Sequence, residues 1–267
     1  MKGAIILRLT VDEFLLDYIE DVDCSIHLNA ECEIVYCKSG SFDAWINGQY
    51  FHIESGKGLF IMPFEYHSFE TKISSYVLRF VFSNDVTPSF YDIIRNKKCT
   101  GRIFDIDSLT ASFVEKVIAE EKDELLKENV LYPFCRLVLN ECTFCNTEKE
   151  FTLFSKALKY MAEHYNEGIT LESTAKSMGI HFVHLSRVFK NNSEYSFTQY
   201  LNLMKFSRAE YLLKNSGKTI AEVAYDSGFG SIRNFNRLFL RIAGVTPTAY
   251  RNGVKPEWKY LKTTFQP

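Results

Sequence analysis

The chain has 267 residues, 46% of them hydrophobic and 24% charged, which suits two globular domains with separate cores. No apolar stretch approaches the ~18–20 residues of a membrane span, and the apolar run of MKGAIILRLTVDEF is too short for a signal-peptide core. We therefore expect a cytoplasmic protein. Residues 1–150 carry 15 Lys/Arg and 25 Asp/Glu, whereas residues 151–267 carry 16 and 8. This asymmetry indicates that the second half contacts a polyanion.

The acidic half begins with a series of short strands. CEIVYCKSGSFDAWINGQYFHI reads as two extended stretches, and its Asn47-Gly48 dipeptide favours a type I′ hairpin turn. LFIM and SYVLRFVF read as further strands, separated by turn residues. Strands at this spacing predict a small barrel or sandwich.

Two apolar helices are predicted after these strands. DIDSLTASFVEKVIAEEKDELLKE reads as one helix that places Phe113, Val114, Val117, Ile118 and Leu125 on one face. VLYPFCRLVLNECTFC reads as a second, with Pro133 in its first turn. The pair could pack on the strands or serve self-association. The polar stretch at 146–150 is the candidate linker.

All seven cysteines lie in the acidic half. An odd number of cysteines without a secretory signal favours free thiols. Cys142 and Cys145 form a C-x-x-C pair, but no second ligand pair is spaced for zinc. Cys135, Cys142 and Cys145 share helical spacing, so we expect buried thiols that pack as small apolar side chains.

The basic half contains an internal repeat. ITLESTAKSMGI (169–180) aligns with TIAEVAYDSGF (219–229), and LSRVF aligns with FNRLF further on. Each copy reads as a short helix opened by Thr, a turn with Gly, and a second helix. Thr219-x-x-Glu222 forms a capping box, and Ser196-x-x-Gln199 caps a long amphipathic helix of about 19 residues between the copies.

A helix, a turn with Gly and a second helix make the motif whose second helix enters the major groove of DNA. Two such units usually come from the two subunits of a dimer, about 34–36 Å apart. Here one chain carries both, joined by a helix that spans roughly 28 Å at ~1.5 Å per residue. The sequence therefore predicts a tandem DNA reader rather than a plain helical bundle.

Residues 153–252 resemble the DNA-binding domain of the AraC/XylS family of bacterial transcription regulators. The resemblance rests on the repeat and on YLNLMKFSRAEYLL, NFNRLFLRIAG and VTPTAYR. It implies base-facing side chains on both recognition helices, where Arg suits guanine, Asn suits adenine, and Val or Ile suits the thymine methyl group. The base-facing residues are Val183, Ser186, Arg187, Ile232, Arg233, Asn236 and Arg237.

Two further sets of residues follow from the same helices. The first is the core by periodicity, with no role in base choice: Leu185, Val188, Phe189, Phe235, Leu238 and Phe239. The second consists of candidate contacts to DNA phosphates, which set affinity and salt dependence: Lys190, Lys205, Arg208 and Arg241.

The strand-rich half resembles the cupin-like sensor barrel at the N-terminus of many members of this family. The likeness is carried by EIVYCKSGSFDAWINGQYFHIESGKGLFIMPFEYHSF. It implies a pocket inside the barrel for a small molecule, often a sugar, and a homodimer formed by the helices that follow. A polar rim with aromatic rings suits a sugar. The candidate ligand-binding residues are Tyr36, Trp45, His67, Phe69 and Arg79.

A metalloenzyme is the rival reading of the same half. Catalytic cupins hold a metal with His-x-His, a Glu and a distant His. This chain offers His27, Glu33 and His67, but Asn29 replaces one imidazole. The three remaining residues could still bind a metal. We expect neither a metal nor another cofactor, because one ligand is missing and the other half reads DNA.

We therefore predict an α+β protein that is not an enzyme. It has a cupin-like β-barrel with two appended helices (1–148), an all-α domain with two helix-turn-helix units joined by a long helix (149–253), and a tail (254–267). The expected function is a ligand-responsive activator of nearby, carbohydrate-related genes. The expected partners are double-stranded DNA, a small effector, RNA polymerase and a second copy of the chain. The alternatives are a cupin oxygenase or isomerase, and a barrel that only dimerises.

Overall fold

The computed structural model describes residues 14–119, 124–146, 149–193, 195–254 and 256. It shows an N-terminal sheet-rich domain followed by a helical domain. Nearly all of the tail predicted for 254–267 lies outside the described residues. Within the described residues, no helix has the length and apolar character needed to cross a membrane.

Eight strands of the sheet-rich domain form one antiparallel sheet, and a separate pair lies beside it. The strand predicted for LFIM is present at Lys57–Ile61 (β5), and the one predicted for SYVLRFVF at Ser75–Phe82 (β7). The large sheet consists of β1 (Phe14–Glu20), β2 (Cys24–His27), β3 (Cys32–Ile46), β4 (Gln49–Glu54), β5 (Lys57–Ile61), β6 (His67–Glu70), β7 (Ser75–Phe82) and β9 (Ile103–Asp105). The small sheet pairs β8 (Lys97–Gly101) with β10 (Thr143–Asn146).

Strand β3 is central because its two halves pair with different neighbours. Its first half pairs with β5 and β7, and its second half, from Ser41, pairs with β4 and β6. Gly40 lies between the halves with φ +74°, and a Cβ there would stand 2.1 Å from the carbonyl oxygen of Ser74. Only glycine allows this bend.

The hairpin predicted at Asn47-Gly48 is confirmed. These two residues join β3 to β4 with φ values of 48° and 82°. Positive φ at both central residues is the requirement of a type I′ turn.

The helices after the sheet differ from the sequence prediction in their bounds. They are α1 (Pro88–Ile94), α2 (Ser108–Ala119) and α3 (Glu124–Glu141). Leu125 thus belongs to α3 and not to the helix of Phe113. The structure does not describe the side chains of Val117, Ile118 and Leu125, so the predicted apolar face is described only at Phe113 and Val114.

The prediction that Pro133 lies in a first turn is wrong, because α3 begins nine residues before it. A proline inside a helix lacks one backbone hydrogen bond, and its ring crowds the carbonyl four residues earlier, at a cost of about 3 kcal/mol that burial of the surrounding face can offset. Val130, Leu131 and Phe134 are fully buried on the outer face of the sheet. This packing is one of the two roles left open for the helices.

The prediction that Cys135, Cys142 and Cys145 share one helix is also wrong. Helix α3 ends at Glu141, so Cys142 follows the helix and Cys145 lies on β10, where its side chain is exposed. The other six cysteines are buried as expected. The linker is predicted at residues 146–150, but its first residue, Asn146, is the last residue of strand β10.

The helical domain contains seven helices among its described residues. The two helix-turn-helix units are α5 with α6 and α8 with α9. The helices are α4 (Lys149–His164), α5 (Leu171–Ser177), α6 (Phe182–Asn192), α7 (Phe197–Asn215), α8 (Ile220–Asp226), α9 (Ile232–Ala243) and α10 (Pro247–Arg251).

Helix α7 has the predicted 19 residues but is not an amphipathic surface helix. Eleven of its side chains are buried, because both helix-turn-helix units and part of the sheet-rich domain pack around it. Even Glu210 is buried, and it accepts hydrogen bonds from the Lys214 ammonium at 3.1 Å and from the Tyr250 hydroxyl. Such pairing makes a buried carboxylate tolerable.

The two domains share a continuous apolar core. Ile26 and Leu28 of the sheet-rich domain and the Tyr66 ring are buried together with the core of the helical domain. The Tyr66 ring lies 4.4 Å from that of Tyr195 and 5.9 Å from that of Tyr200, centroid to centroid. Aromatic rings at these separations attract each other beyond the burial of their area. The sheet is therefore packed directly against the helical domain.

Candidate DNA interface and the polar cluster of the sheet

The two turns of the repeat have the same backbone geometry. Gly179 follows α5 with φ +68°, and Gly228 follows α8 with φ +79°. In each unit the next amide closes the helix: Ile180 N–H donates to Ala175 O, and Phe229 N–H donates to Ala224 O, both at 3.0 Å. A left-handed glycine with this hydrogen bond is a common helix end. The repeated sequence thus produces a repeated turn.

Capping side chains fix where the helices of both units begin. Thr219 and Glu222 form the predicted capping box of α8, and Ser196 and Gln199 form the one predicted for α7. Thr170 caps α5 in the same way. Each box satisfies backbone N–H groups that the first turn leaves without helical partners.

The recognition helices α6 and α9 divide their side chains as the sequence predicts. The six residues assigned to the core are buried. Every residue assigned to base contacts is exposed, including two apolar ones, Val183 at 58% and Ile232 at 37%. Exposed apolar side chains at the start of both helices are available to thymine methyl groups.

Asn234, one turn before Arg237, holds that arginine in place. The Asn234 Oδ1 accepts a hydrogen bond from the Arg237 guanidinium at 3.0 Å. Arg237 and Arg241 also line a small hollow between α9 and the first turns of α7, beside Thr198 and Asn202. An arginine held by one hydrogen bond keeps further N–H donors for a guanine edge.

The four candidate phosphate contacts do not share one environment. Lys190 on α6 and Arg241 on α9 are exposed, whereas Lys205 and Arg208 on α7 are half-buried. Burial lowers the pKa of Lys205. The Arg208 guanidinium lies over the Tyr211 ring at 5.4 Å. Lys190 and Arg241 are therefore the better placed pair for a DNA backbone.

A charged cluster occupies the inner face of the sheet. Glu33 of β3 is fully buried, and its Oε2 accepts hydrogen bonds from Asn29 Nδ2 at 2.5 Å and from His67 Nε2 at 3.0 Å. Its Oε1 lies 3.9 Å from the guanidinium of Arg79, which also pairs with Asp17. Burial alone would raise the pKa of Glu33, but the charge and hydrogen bond of His67, together with Arg79, hold it at about 2.

Three of the five predicted ligand residues meet at this cluster and two do not. His67, Phe69 and Arg79 face the interior with Glu33. Tyr36 faces the other side of the sheet, where it packs against Phe134 of α3 at 5.8 Å. Trp45 also points away from the cluster and packs against the ring of Tyr50 at 5.5 Å. Side chains alternate along a strand, so Tyr36 and Glu33 lie on opposite faces.

One family profile and several curated proteins match part of this chain. A family profile described as a helix-turn-helix domain matches residues 174–253. The transcriptional activator RhaS of Salmonella schwarzengrund (strain CVM19633) is 28% identical over 99 residues, which are 37% of this chain and 36% of RhaS. The uncharacterized HTH-type regulator YisR of Bacillus subtilis (strain 168) is 26% identical over 140 residues, 51% of this chain and 49% of YisR. Residues 174–253 thus form a helix-turn-helix domain, similar to those of HTH-type transcription regulators.

The whole fold also has solved counterparts. A crystal structure of unsaturated fatty acid-bound ToxT from Vibrio cholerae strain SCE256 superposes with a TM-score of 0.63 at 13% identity, over 92% of this chain and 99% of that one. This likeness shows the fold. The chain spans about half or less of the length of the curated relatives that it matches.

The cluster meets the distance requirement of a metal site but not its chemistry. His27, Glu33 and His67 bring their ligand atoms within 4.8 Å of one another. However, Asn29 and His67 already donate to the Glu33 carboxylate, and the fixed positive charge of Arg79 lies beside it. A metal ion would have to displace the two hydrogen bonds to Glu33 Oε2, and the neighbouring guanidinium would repel it. The arrangement fits an internal hydrogen-bond network.

We expect purified protein to carry no stoichiometric iron, manganese or zinc. The physical reason is that His67 already bonds the Glu33 carboxylate and the fixed charge of Arg79 lies beside it. Elemental analysis after dialysis against metal-free buffer measures this directly. One metal per chain, lost on His67→Ala substitution, would contradict the network and favour a metal centre.

Proposed function

We propose that this protein is a DNA-binding transcription regulator whose AraC-type domain reads two successive major grooves. The observation that carries the proposal is the pair of matching units, each with an exposed recognition helix. Val183, Ser186 and Arg187 are the proposed readers of the first unit, and Ile232, Arg233, Asn236 and Arg237 those of the second. The names of RhaS and YisR support regulation, and that of RhaS supports activation. They also support the prediction that the chain is not an enzyme.

The domain division at residue 148 is part of the proposal. It is supported by helix α4, which begins at Lys149 and packs on α6 within the helical core. The sheet-rich domain is proposed to be the cupin-like sensor, since β3 bends to serve two sets of strands. A homodimer through α2 and α3 and a contact with RNA polymerase stay predictions.

We further propose that a small effector shifts the balance between arrangements that differ in DNA affinity. The direct packing of Tyr66 against Tyr195 and Tyr200 gives a physical route between the domains. The interior of the sheet is tightly filled, since Val35, Phe42, Phe69 and Val77 are at most 1% exposed. A sugar bound there stays a prediction. The ToxT structure of similar fold holds an unsaturated fatty acid, which supports a small effector for this chain as well.

Substitutions on α9 distinguish base reading from phosphate contact. We expect Arg237→Ala to relax base choice at one operator position by about 1–3 kcal/mol, because a bidentate contact to guanine is lost. Arg241→Ala, one turn further along the same helix, should weaken all sequences about equally and reduce the salt slope of binding by about 1. Binding affinities of the two variants, measured over a library of randomised DNA duplexes at several salt concentrations, test both expectations.

The same experiment includes its control. Lys190→Ala on α6 should behave like Arg241→Ala, because Lys190 is also exposed at the end of a recognition helix. Equal losses on every sequence from Arg237→Ala and Arg241→Ala would remove the distinction between readers and positioners.

A further inference from the structure

The small sheet brings two of the seven cysteines together. Cys99 lies on β8, where it pairs with Phe144 of the antiparallel strand β10. Cys142 lies between the end of α3 and the start of β10. Both cysteines are buried in the same apolar cluster, and a hydrogen bond joins their thiols. Two thiols held side by side in this way need only a local movement to reach the ~2.05 Å of an S–S bond.

Arg102 lies beside this pair and favours a thiolate. Its buried guanidinium donates to the carbonyl oxygen of Cys99 at 3.0 Å and to the Glu65 carboxylate at 2.7 Å. The hydrogen bond with Cys142 lowers the pKa of Cys99, and so does the charge of Arg102, although burial and Glu65 oppose them. The same hydrogen bond raises the pKa of Cys142. Cys99 is thus the nucleophile of the pair, and Cys142 is its hydrogen-bond donor.

A small oxidant can reach Cys99 from solvent. A cavity of about 680 Å³ is partly open to solvent, and Cys99 and Arg102 are part of its wall. Hydrogen peroxide is little larger than water, so this opening is wide enough for it. Cys142 is not part of the wall. Cys99 is therefore the sulfur of the pair that meets an oxidant first.

A second neighbouring pair of cysteines lacks these features. Cys32 of β3 and Cys135 of α3 lie near each other in the same apolar cluster. Burial raises the pKa of Cys135 to about 12 and also raises that of Cys32. Neither residue lines the cavity. Buried thiols without a thiolate form and without access are inert, so this pair is an internal comparison.

We propose that Cys99 and Cys142 are an oxidation-sensitive site that forms a reversible disulfide when the protein meets a peroxide. The Cys99 thiolate attacks one oxygen of hydrogen peroxide, the O–O bond breaks, and Cys99 sulfenic acid and hydroxide result. The Cys142 sulfur then attacks the sulfenic sulfur. The S–S bond forms, the S–O bond breaks, and the hydroxide leaves with the thiol proton as water.

The electron balance of this step is closed by the peroxide. The two thiols lose two electrons and two protons, and one hydrogen peroxide becomes two molecules of water. A dithiol reverses the reaction by thiol–disulfide exchange. In reducing compartments, cysteine pairs that oxidise in this transient way are usually catalytic or redox-sensing.

Peptide mapping by mass spectrometry, after treatment of the full chain with hydrogen peroxide, tests the site. The Cys145→Ser variant is used, because the exposed Cys145 thiol could link two chains. We expect two of its six thiols to be lost in one linkage between Cys99 and Cys142, and dithiothreitol to restore both. The thiols of Cys32 and Cys135 should react at least tenfold more slowly.

Substitutions in the same background test the order of the steps. Cys142→Ser removes the second thiol, so the sulfenic acid should accumulate at Cys99 and be trapped by dimedone. Cys99→Ser should abolish the linkage and leave Cys142 without a dimedone adduct. Cys135→Ser is the matched control and should leave the linkage unchanged. Circular dichroism shows whether each variant is folded.

The peptide mapping needs no substitution at the pair, so a variant that does not fold leaves the test intact. Absence of a linkage between Cys99 and Cys142 in the folded chain would overturn the proposal. Equal oxidation of Cys32 and Cys135 would overturn it as well, since the environment of the pair would then not matter. DNA binding is not part of the readout, so this proposal and that of a regulator fail separately.

Discussion

Replacing Glu33 by Gln is expected to destabilise the protein by about 3–5 kcal/mol, because one partner of a buried ion pair is lost while the other charges remain. Glu33 is fully buried, and its carboxylate is bonded to His67 and lies beside Arg79. The amide has the same shape, so the loss reports charge and not volume. Urea unfolding followed by circular dichroism measures the change.

An exposed ion pair on a neighbouring strand is the control. Asp105 pairs with Lys57, but 70% of its side chain is exposed. We expect Asp105→Asn to change stability by no more than about 0.5 kcal/mol, because water screens such pairs. Buried ion pairs typically lose about 3–5 kcal/mol when one partner is removed. A loss below about 1 kcal/mol for Glu33→Gln, similar to that of the control, would contradict the role assigned to the cluster.

The pH dependence of stability follows from the same carboxylate. The pKa of Glu33 is lowered from 4.5 to about 2 in the folded protein, so the folded state favours the charged form. Its contribution is therefore present above pH 4.5 and is lost as the pH falls toward 2. We expect Glu33→Gln to flatten the stability curve over this range.

Replacing Gly228 by Ala is expected to cost about 2–5 kcal/mol, which combines a left-handed backbone penalty of about 1–2 kcal/mol with a steric clash. Gly228 has φ +79°, and an added Cβ would lie 2.8 Å from the Cα of Asn166 and 3.0 Å from the carbonyl oxygen of Tyr165. Both contacts are with backbone atoms, which cannot rotate away. Thermal unfolding gives the measurement.

Gly179 is a matched control inside the same molecule. It takes the same place in the first unit with φ +68°, but no atom lies within 4 Å of its added Cβ. Gly179→Ala should therefore cost only the backbone penalty of about 1–2 kcal/mol. Equal losses at both glycines would show that the contact with Asn166 does not contribute.

The helical domain was predictable because local sequence decides most of its geometry. Thr219 with Glu222 and Ser196 with Gln199 are capping boxes that can be read directly from their spacing. Gly179 and Gly228 mark the turns for the same reason. The burial of α7 on nearly all sides was not predictable, since it depends on partners far away in the chain.

The positions of the strands in the sheet-rich domain could be predicted from the sequence, but not which side of each strand faces the interior. The alternation along β3 places Glu33 inside and Tyr36 against α3, yet the sequence alone does not say which face is inside. The pairing partners of β3 also change at the bend at Gly40, so the alternation pattern cannot be followed through the whole strand.

The most direct test of the tandem reader is footprinting on DNA upstream of the gene, over a salt series, with Arg187→Ala and Arg237→Ala beside the wild-type chain. We predict protection in two successive major grooves per protomer, about 10 base pairs apart. Each variant should weaken protection in one groove and spare the other. Protection no stronger than on unrelated DNA at every salt concentration, or the loss of both grooves in each variant, would contradict the account.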